Sequence, residues 1–480
     1  MDARASALSP GASVLPAEHR ENRFWTHILG CALSPQRVFI LLAPFLYAVY
    51  ALLTPPFQNF DENQHLYRAW QISSLQFIGE RRGRQSGGEL PPGLAQATLQ
   101  EIGSVVPWGR REVIRRPVSE MFSVNTPIGS DRKPIYYNFL GSVVYSPVGY
   151  VPQVVAIHAG EAAGLSVEWT LRLGRLLNIA LCIGLVLSAL RLAPFGRWII
   201  VIIALSPPMA AGAASFGQDA LVNGGGFLLT ALGLKIAVEK RWTGPRAAVV
   251  GLVGVAVTLA KLVYLPLIAL AAFPVARGVA MRRWVLPPLL IGLVVVALLY
   301  AWVRAATPTL VDPAVPWAPS SSEQISWALT HPLDFFLLIG RTWLWLPTRW
   351  AYLYTFGDST VPVIWTAAVP GAAALVAMIF YGDREAPDLT RPRRIWMLVV
   401  AAAVALLVST VMFIGMATRK SFVIDGIQWR YFLPVLPLAA IALMRRGETA
   451  PPMIAPVALT LVLIANVAAL GTITTTFYSF

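Results

Sequence analysis

The sequence predicts an all-α integral membrane protein that crosses the bilayer about eleven times. Three observations predict it. Hydrophobic residues make up 56% of the 480 and charged residues only 13%, giving a mean hydropathy of +0.62 that a soluble core could not absorb. The apolar residues fall into separate runs that approach the roughly 20 helical residues needed to cross a hydrocarbon core of about 30 Å. Arginines gather in the short connections between these runs, as they do in cytoplasmic loops. The formal net charge of +14 is therefore read as topology and not as affinity for nucleic acid.

In chain order, residues 1–37 are polar, with Pro10, Gly11 and Pro16. No small-residue cleavage pattern follows the first apolar run, so the stretch is expected to be a cytoplasmic tail before an uncleaved helix. The runs read as spans are Val38–Leu53, Leu173–Leu192, Trp198–Ala214, Ala220–Val238, Ala247–Ala260, Leu262–Ala276, Trp284–Val303, Val361–Tyr381, Ile395–Met416, Tyr431–Met444 and Met453–Leu470. Cys31 and Cys182 support neither a disulfide framework nor a thiolate metal site.

Tyr137–His158 is also apolar, but it contains Pro147 and Pro152, which would break a lone lipid-facing helix. Left as a juxtamembrane or re-entrant segment, it puts Arg191, Arg197, Lys240, Arg241, Arg246, Arg277, Arg282, Arg283, Arg391, Arg393, Arg394, Arg445 and Arg446 on one cytoplasmic face. Counted as a span, it would invert this arrangement. The opposite face then carries the loop 54–136, the turn Ser215–Asp219, Lys261, the loop 304–360 and the stretch 417–430. The first of these loops is punctuated by Gly87-Gly88 and Pro91-Pro92 and is read as a structured excursion or a partly mobile one. The 304–360 loop holds Trp343, Trp345, Tyr352 and Tyr354 and is expected to form a helix lying in the interface.

The candidate chemistry sits on that non-cytoplasmic face. After the first span comes "PPFQNFDENQHLYRAWQIS". A helix starting near Asp61 would align Asp61, His65 and Arg68 on one face, with Glu62 adjacent. A carboxylate there could take a proton from a hydroxyl nucleophile or bind a divalent cation, and His65 and Arg68 could hold a phosphate or a sugar hydroxyl. The other reading is a helix N-cap, for which Asp61 is a preferred residue. Asp219, in "SFGQDAL", admits the same two readings. Lys261 interrupts two short apolar runs, and an ionisable group so placed is either functional or snorkelling. Arg430, in "GIQWRYFLPVLPL", either pairs with a lipid-linked phosphate or anchors its helix.

These motifs, with "LAKLVYLPL", resemble a family of bacterial predicted membrane proteins with a domain of unknown function. Its layout is similar to that of the GT-C glycosyltransferases, and the resemblance runs from about Val38 to Leu470. It implies a GT-C-like module over 38–303, including the loop 54–136 with its juxtamembrane helices, followed by the loop 304–360 and C-terminal helices over 361–480. It further implies a polyprenyl-phosphate-linked sugar as donor, an envelope glycan or lipid as acceptor, and a bacterial plasma membrane location. By motif position Asp61 is the candidate base or metal ligand, with Glu62 and Asp219 as supporting acids; Lys261 and Arg430 are the candidate phosphate ligands. A divalent cation, Mg or Mn, would be held by Asp61 and Asp219. The competing readings are a transporter or flippase for a lipid-linked glycan and a catalytically silent scaffold.

Overall fold

The computed structural model describes residues 34–105, 113–123, 125–128, 133–272, 281–313, 318–356, 361, 364–381, 389–417, 421–424, 426–445 and 453–480. The tail with Cys31, and also Arg277, Asp425 and Arg446, lie outside the described residues.

The apolar runs become helical elements. The first is α1 (Pro35–Leu53), opened by Ser34, whose hydroxyl accepts from the Arg37 amide, with Pro35 in the first turn. Four more long helices share that apolar character: α5 (Val167–Leu192), α8 (Asp219–Glu239), α14 (Arg391–Met416) and α16 (Ile454–Phe477). With α10 (Met281–Ala306), which runs into a 3-10 turn at Thr307–Thr309, six helices among the described residues are long and apolar enough to cross a membrane. Shorter apolar helices are α9 (Gly244–Ala260) and α13 (Trp365–Tyr381).

Prolines shape the remaining runs. Trp198–Ala214 divides into α6 (Arg197–Ala204) and α7 (Pro207–Ala213), because Pro207 and Pro208 cannot continue the first helix but are preorganised to start the second. Leu262–Ala272, with Pro266 inside it, winds as a 3-10 helix. The run from Tyr431 opens as the 3-10 segment Trp429–Val435 before α15 (Leu436–Leu443). Tyr137–His158 is mainly turns, a 3-10 segment at Pro147–Tyr150, and α4 (Val151–Ala162). Twelve helical residues rise only about 18 Å, well short of a hydrocarbon core of about 30 Å.

The described part of the excursion after α1 has regular structure. It contains α2 (Glu62–Ser73), strands β1 (Glu80–Arg82) and β2 (Gln85–Leu90), α3 (Pro92–Val105), β3 (Arg116–Pro117) and β4 (Ile135–Asn138). Strands β1, β2 and β4 form an antiparallel sheet with Glu80 opposite Gly87 and Gly87 opposite Asn138. This small sheet places Gly87 and Gly88 within a strand of the excursion. A Cβ at Gly87 would collide with the Tyr137 carbonyl, so the glycine permits the close approach of two strands. Strand β3 pairs in parallel with β5 (Tyr478–Ser479) at the far end of the chain. In the 304–360 loop, α11 (Ser321–Thr330) is followed by α12 (Pro332–Trp345) and a 3-10 segment over Leu346–Tyr354, so the aromatic stretch expected as an interfacial helix spans the end of α12 and this 3-10 segment.

Two cores hold these parts in place. One joins the long helices; the other, including Leu66, Trp70, Phe139, Tyr150, Leu171 and Phe216, lies under the excursion, where α2 packs against α4. Close packing at glycines then sets the site. A Cβ at Gly226 of α8 would press on the Pro434 backbone, and one at Gly174 of α5 would meet the Phe216 ring. The first contact brings the Trp429–Val435 segment against α8, and the second brings the turn before Asp219 against α5.

Candidate functional site

Four elements distant in sequence deliver four charges to one end of the helix bundle. Asp61 precedes α2, Asp219 opens α8, Lys261 follows α9, and Arg430 lies in the Trp429–Val435 segment. Lys261 Nζ donates to Asp219 Oδ1 at 2.6 Å. Arg430 bridges the two acids, with Nη2 at 2.9 Å from Asp61 Oδ2 and Nη1 at 3.4 Å from Asp219 Oδ2. Its Nε donates to Gln428 Oε1 at 2.5 Å, and its guanidinium lies 4.6 Å from the centre of the Phe60 ring, a cation–π arrangement. Acid and base thus alternate across the site, each charge offsetting the desolvation of its neighbour.

Neither acid caps a helix with its side chain. Asp61 stands in the left-handed region at φ 56° and makes no capping bond; aspartate is one of the few non-glycine residues that visit this conformation readily. Asp219 is already inside α8, where Gln218 holds the cap position. Its carboxylate benefits from the positive end of that helix while reaching Lys261 and Arg430. Lys261 does not snorkel to water, because its side chain is 13% exposed and ion-paired.

Three expected site residues are differently placed. Glu62 is fully buried and faces away from Arg430, toward Arg175 Nε and Nη2 at 2.9 and 2.6 Å. It also accepts from Asn59 Nδ2 at 3.3 Å and from the Phe57 and Phe216 amides at 3.0 Å each. Burial by itself would raise its pKa, but the Arg175 guanidinium outweighs that and holds the carboxyl below its usual range. Arg175 in turn donates to the carbonyls of Ala51, Thr54 and Pro55. The pair therefore ties α1, α2 and α5 together, and Glu62 is a structural anchor and not a free carboxylate.

Arg68 is likewise buried and spent. Nε and Nη2 donate to the Tyr145 carbonyl at 3.1 and 2.8 Å, Nη2 to the Phe77 carbonyl at 2.7 Å, and Nη1 to Gln71. With those donors engaged, it is not placed to hold a phosphate. His65 does reach the site. Its Nδ1 lies 2.7 Å from the Tyr150 hydroxyl and its ring stacks on Tyr145. Burial pushes its pKa down to about 4, against the opposing pull of Asp61, so the imidazole is neutral near pH 7.

The donor set does not suit a divalent cation. Among the described residues no three His, Cys, Asp or Glu side chains group together, and Asp61 and Asp219 already face Arg430 and Lys261. A hard cation seeking six or more oxygens would have to share this space with two resident positive charges.

Three cavities lie near the charges, and they share one apolar wall. One of about 170 Å³ is lined by Arg430, Gln428 and Phe60 on one side and by Trp345, Leu353 and Trp429 on the other. A narrow void of about 40 Å³ touches Asp219, Arg430, Phe60 and Leu353. A third, of about 180 Å³ and almost wholly apolar, runs between α6 and α13, lined by Ile202, Ile203, Leu353, Gly371, Leu375 and Leu436. All three share Leu353 as a wall.

The residues missed from sequence are Arg175, Tyr145, Tyr150, Phe60 and Gln428. For Arg175 the signal is present: it falls inside the apolar run Leu173–Leu192, and an ionisable residue in such a run calls for a buried partner. The others carry no pattern of their own; only the fold brings them together.

No curated protein and no solved structure matches this chain. Residues 42–439 match a family described as predicted membrane protein, DUF2142, a span from within α1 to within α15 that takes in all four clustered charges. The chain belongs to that family and is embedded in a membrane.

Proposed function

We propose that this chain is a GT-C-like glycosyltransferase of the bacterial plasma membrane, with about eleven crossings and a cytoplasmic N-terminus. It would transfer a sugar from polyprenyl phosphate to an envelope glycan or lipid on the extracytoplasmic face. The observation that carries the reading is the meeting of Asp61, Asp219, Lys261 and Arg430 beside cavities lined by Arg430 and Asp219, with an almost wholly apolar cavity on another face of the shared Leu353. An amphipathic donor has this polarity: an anionic phosphate at one end and a hydrocarbon chain at the other.

In this mechanism the donor phosphate is held by Arg430 and Lys261, and the chain lies along Leu353, Leu375 and Leu436. A phosphate on Arg430 competes with Asp61 for the same guanidinium. Freed from it, Asp61 accepts the proton of the acceptor hydroxyl as that oxygen bonds to the anomeric carbon. The bond from that carbon to the phosphate oxygen breaks, and its electron pair leaves with polyprenyl phosphate, whose charge the two cations stabilise. Asp219 keeps Lys261 and Arg430 in place, and neutral His65 is positioned to hold a sugar hydroxyl. No step runs through a metal.

The direct test supplies purified protein in lipid nanodiscs with radiolabelled polyprenyl-phosphate sugars and candidate envelope glycans. Label should pass to an acceptor with the native chain and not with Asp61→Asn. Transfer by Asp61→Asn at the native rate would remove the proposed base.

A further inference from the structure

The turn that follows α2 is built to be seen from outside. Ser74 to Gly79 lies in the excursion, outside the spanning helices, and yet Leu75 is 76% exposed, Phe77 46% and Ile78 42%. Leu75 adopts φ 60°, a left-handed conformation that a leucine enters only when its surroundings hold it there. The hold is visible: the buried Arg68 donates to the Phe77 carbonyl at 2.7 Å and to the Tyr145 carbonyl at 2.8 Å, and Gln71 reaches the Gly87 carbonyl at 3.3 Å. A buried guanidinium thus fixes the turn while three apolar side chains point outward.

Its location gives those side chains a partner. Gly79 packs beside Val143 and Thr309, and β1 lies against the Thr307–Thr309 turn that ends α10. That helix exposes Leu289, Leu290, Leu293 and Tyr300 along its length, the surface of a helix facing lipid. The apolar turn therefore sits where a lipid-facing helix leaves the hydrocarbon. Immediately after it, the hairpin Glu80 to Leu90 exposes Arg81, Arg82 and Arg84 against two acids, Glu80, taken by Arg82 at 2.8 Å, and Glu89, which also acts on Arg82, leaving Arg81 and Arg84 in surplus. Apolar residues backed by surplus arginines fit a leaflet of anionic phospholipid.

We propose that the turn 74–79 is a wedge inserting Leu75, Phe77 and Ile78 among the acyl chains, with Arg81 and Arg84 on the phosphates of anionic lipids. The wedge would hold α2, and so the position of Asp61 at its other end, at a set depth. The inference stands on the excursion's surface alone and does not rest on the glycosyltransferase reading.

The test uses the full chain with Cys31 and Cys182 replaced by serine, reconstituted in nanodiscs of phosphatidylcholine mixed with phosphatidylglycerol. A fluorophore on Phe77→Cys should emit to the blue, resist quenching by aqueous iodide and be quenched by lipid brominated on the acyl chain. Brominated phosphatidylglycerol should quench more than brominated phosphatidylcholine at the same mole fraction. Removing Arg81 or Arg84 as alanine should reduce that preference by up to about fivefold each at low salt. Iodide quenching without bromine quenching would place the turn in water and overturn the wedge. Equal quenching by both lipids would overturn the anionic recognition.

Discussion

Arg430 and Asp61 stand 369 residues apart in sequence and 2.9 Å apart in space, and the same guanidinium also touches Asp219. The proposed base is therefore held by the proposed phosphate ligand until something anionic takes its place. The side chain of Asp61 is 56% exposed while that of Arg430 is 17% exposed, so Asp61 is the partner free to leave.

Substitution at Asp61 should separate chemistry from stability. Asp61→Asn keeps a residue at home in the left-handed region and removes the base. Transfer should fall about 10²- to 10⁴-fold, the usual contribution of a general base, while thermal unfolding in nanodiscs stays close to native. Turnover measured against a melting curve decides it.

Glu62→Ala, one residue away, should do the opposite. Truncating one partner of a buried ion pair costs roughly 3–5 kcal/mol, and here it also leaves the Phe57 and Phe216 amides without their acceptor. Strongly lowered thermal stability or failure to accumulate in membranes is expected. A native melting temperature in this variant would show that the Arg175 pair is not the anchor described.

Arg430→Lys should not be conservative. An ammonium is a point charge and cannot reproduce a fork that reaches two carboxylates. Losing one charge-assisted hydrogen bond, worth about 1.5–3 kcal/mol, should raise the donor KM roughly ten- to a hundredfold, with a smaller change in kcat. Initial rates across donor concentrations would resolve the two.

Leu375→Trp would fill the apolar cavity between α6 and α13. Activity with a long-chain donor should fall while that with a short-chain, water-soluble donor is retained. Equal loss with both donors would show that the hydrocarbon lies elsewhere.

His65 predicts a pH signature. Its folded pKa of about 4 lies below the usual 6.5, so as pH falls the unfolded chain takes up this proton first. The associated stability is fully present above about pH 6.5 and is lost as pH falls toward about 4. In His65→Asn, the decline of the melting temperature across that window should be shallower.

Much of this was legible beforehand because bilayer length and proline chemistry act locally. The runs from Val38, Leu173, Ala220, Ile395 and Met453 needed no tertiary contact to be recognised as helices, and Pro147 and Pro207 acted where they stood. The acids and cations were found because charges are rare in such a chain. Side-chain direction was not legible. Glu62 and Asp61 are neighbours, yet one faces Arg175 and the other Arg430, since the left-handed backbone at Asp61 turns the chain between them. Asp61, His65 and Arg68 share a helical spacing, yet Arg68 is consumed by carbonyls of a turn whose shape no periodicity encodes.

The parallel pairing of Arg116–Pro117 with Tyr478–Ser479 has an arithmetic consequence. The chain leaves α1 into the excursion, and its last helix ends on a strand of that same excursion. Between those two points it must traverse the bilayer an even number of times, so with α1 included the total is odd. Five of the six long helices lie between those two points, so with all five crossing, an odd number of the short, proline-broken helices must cross with them.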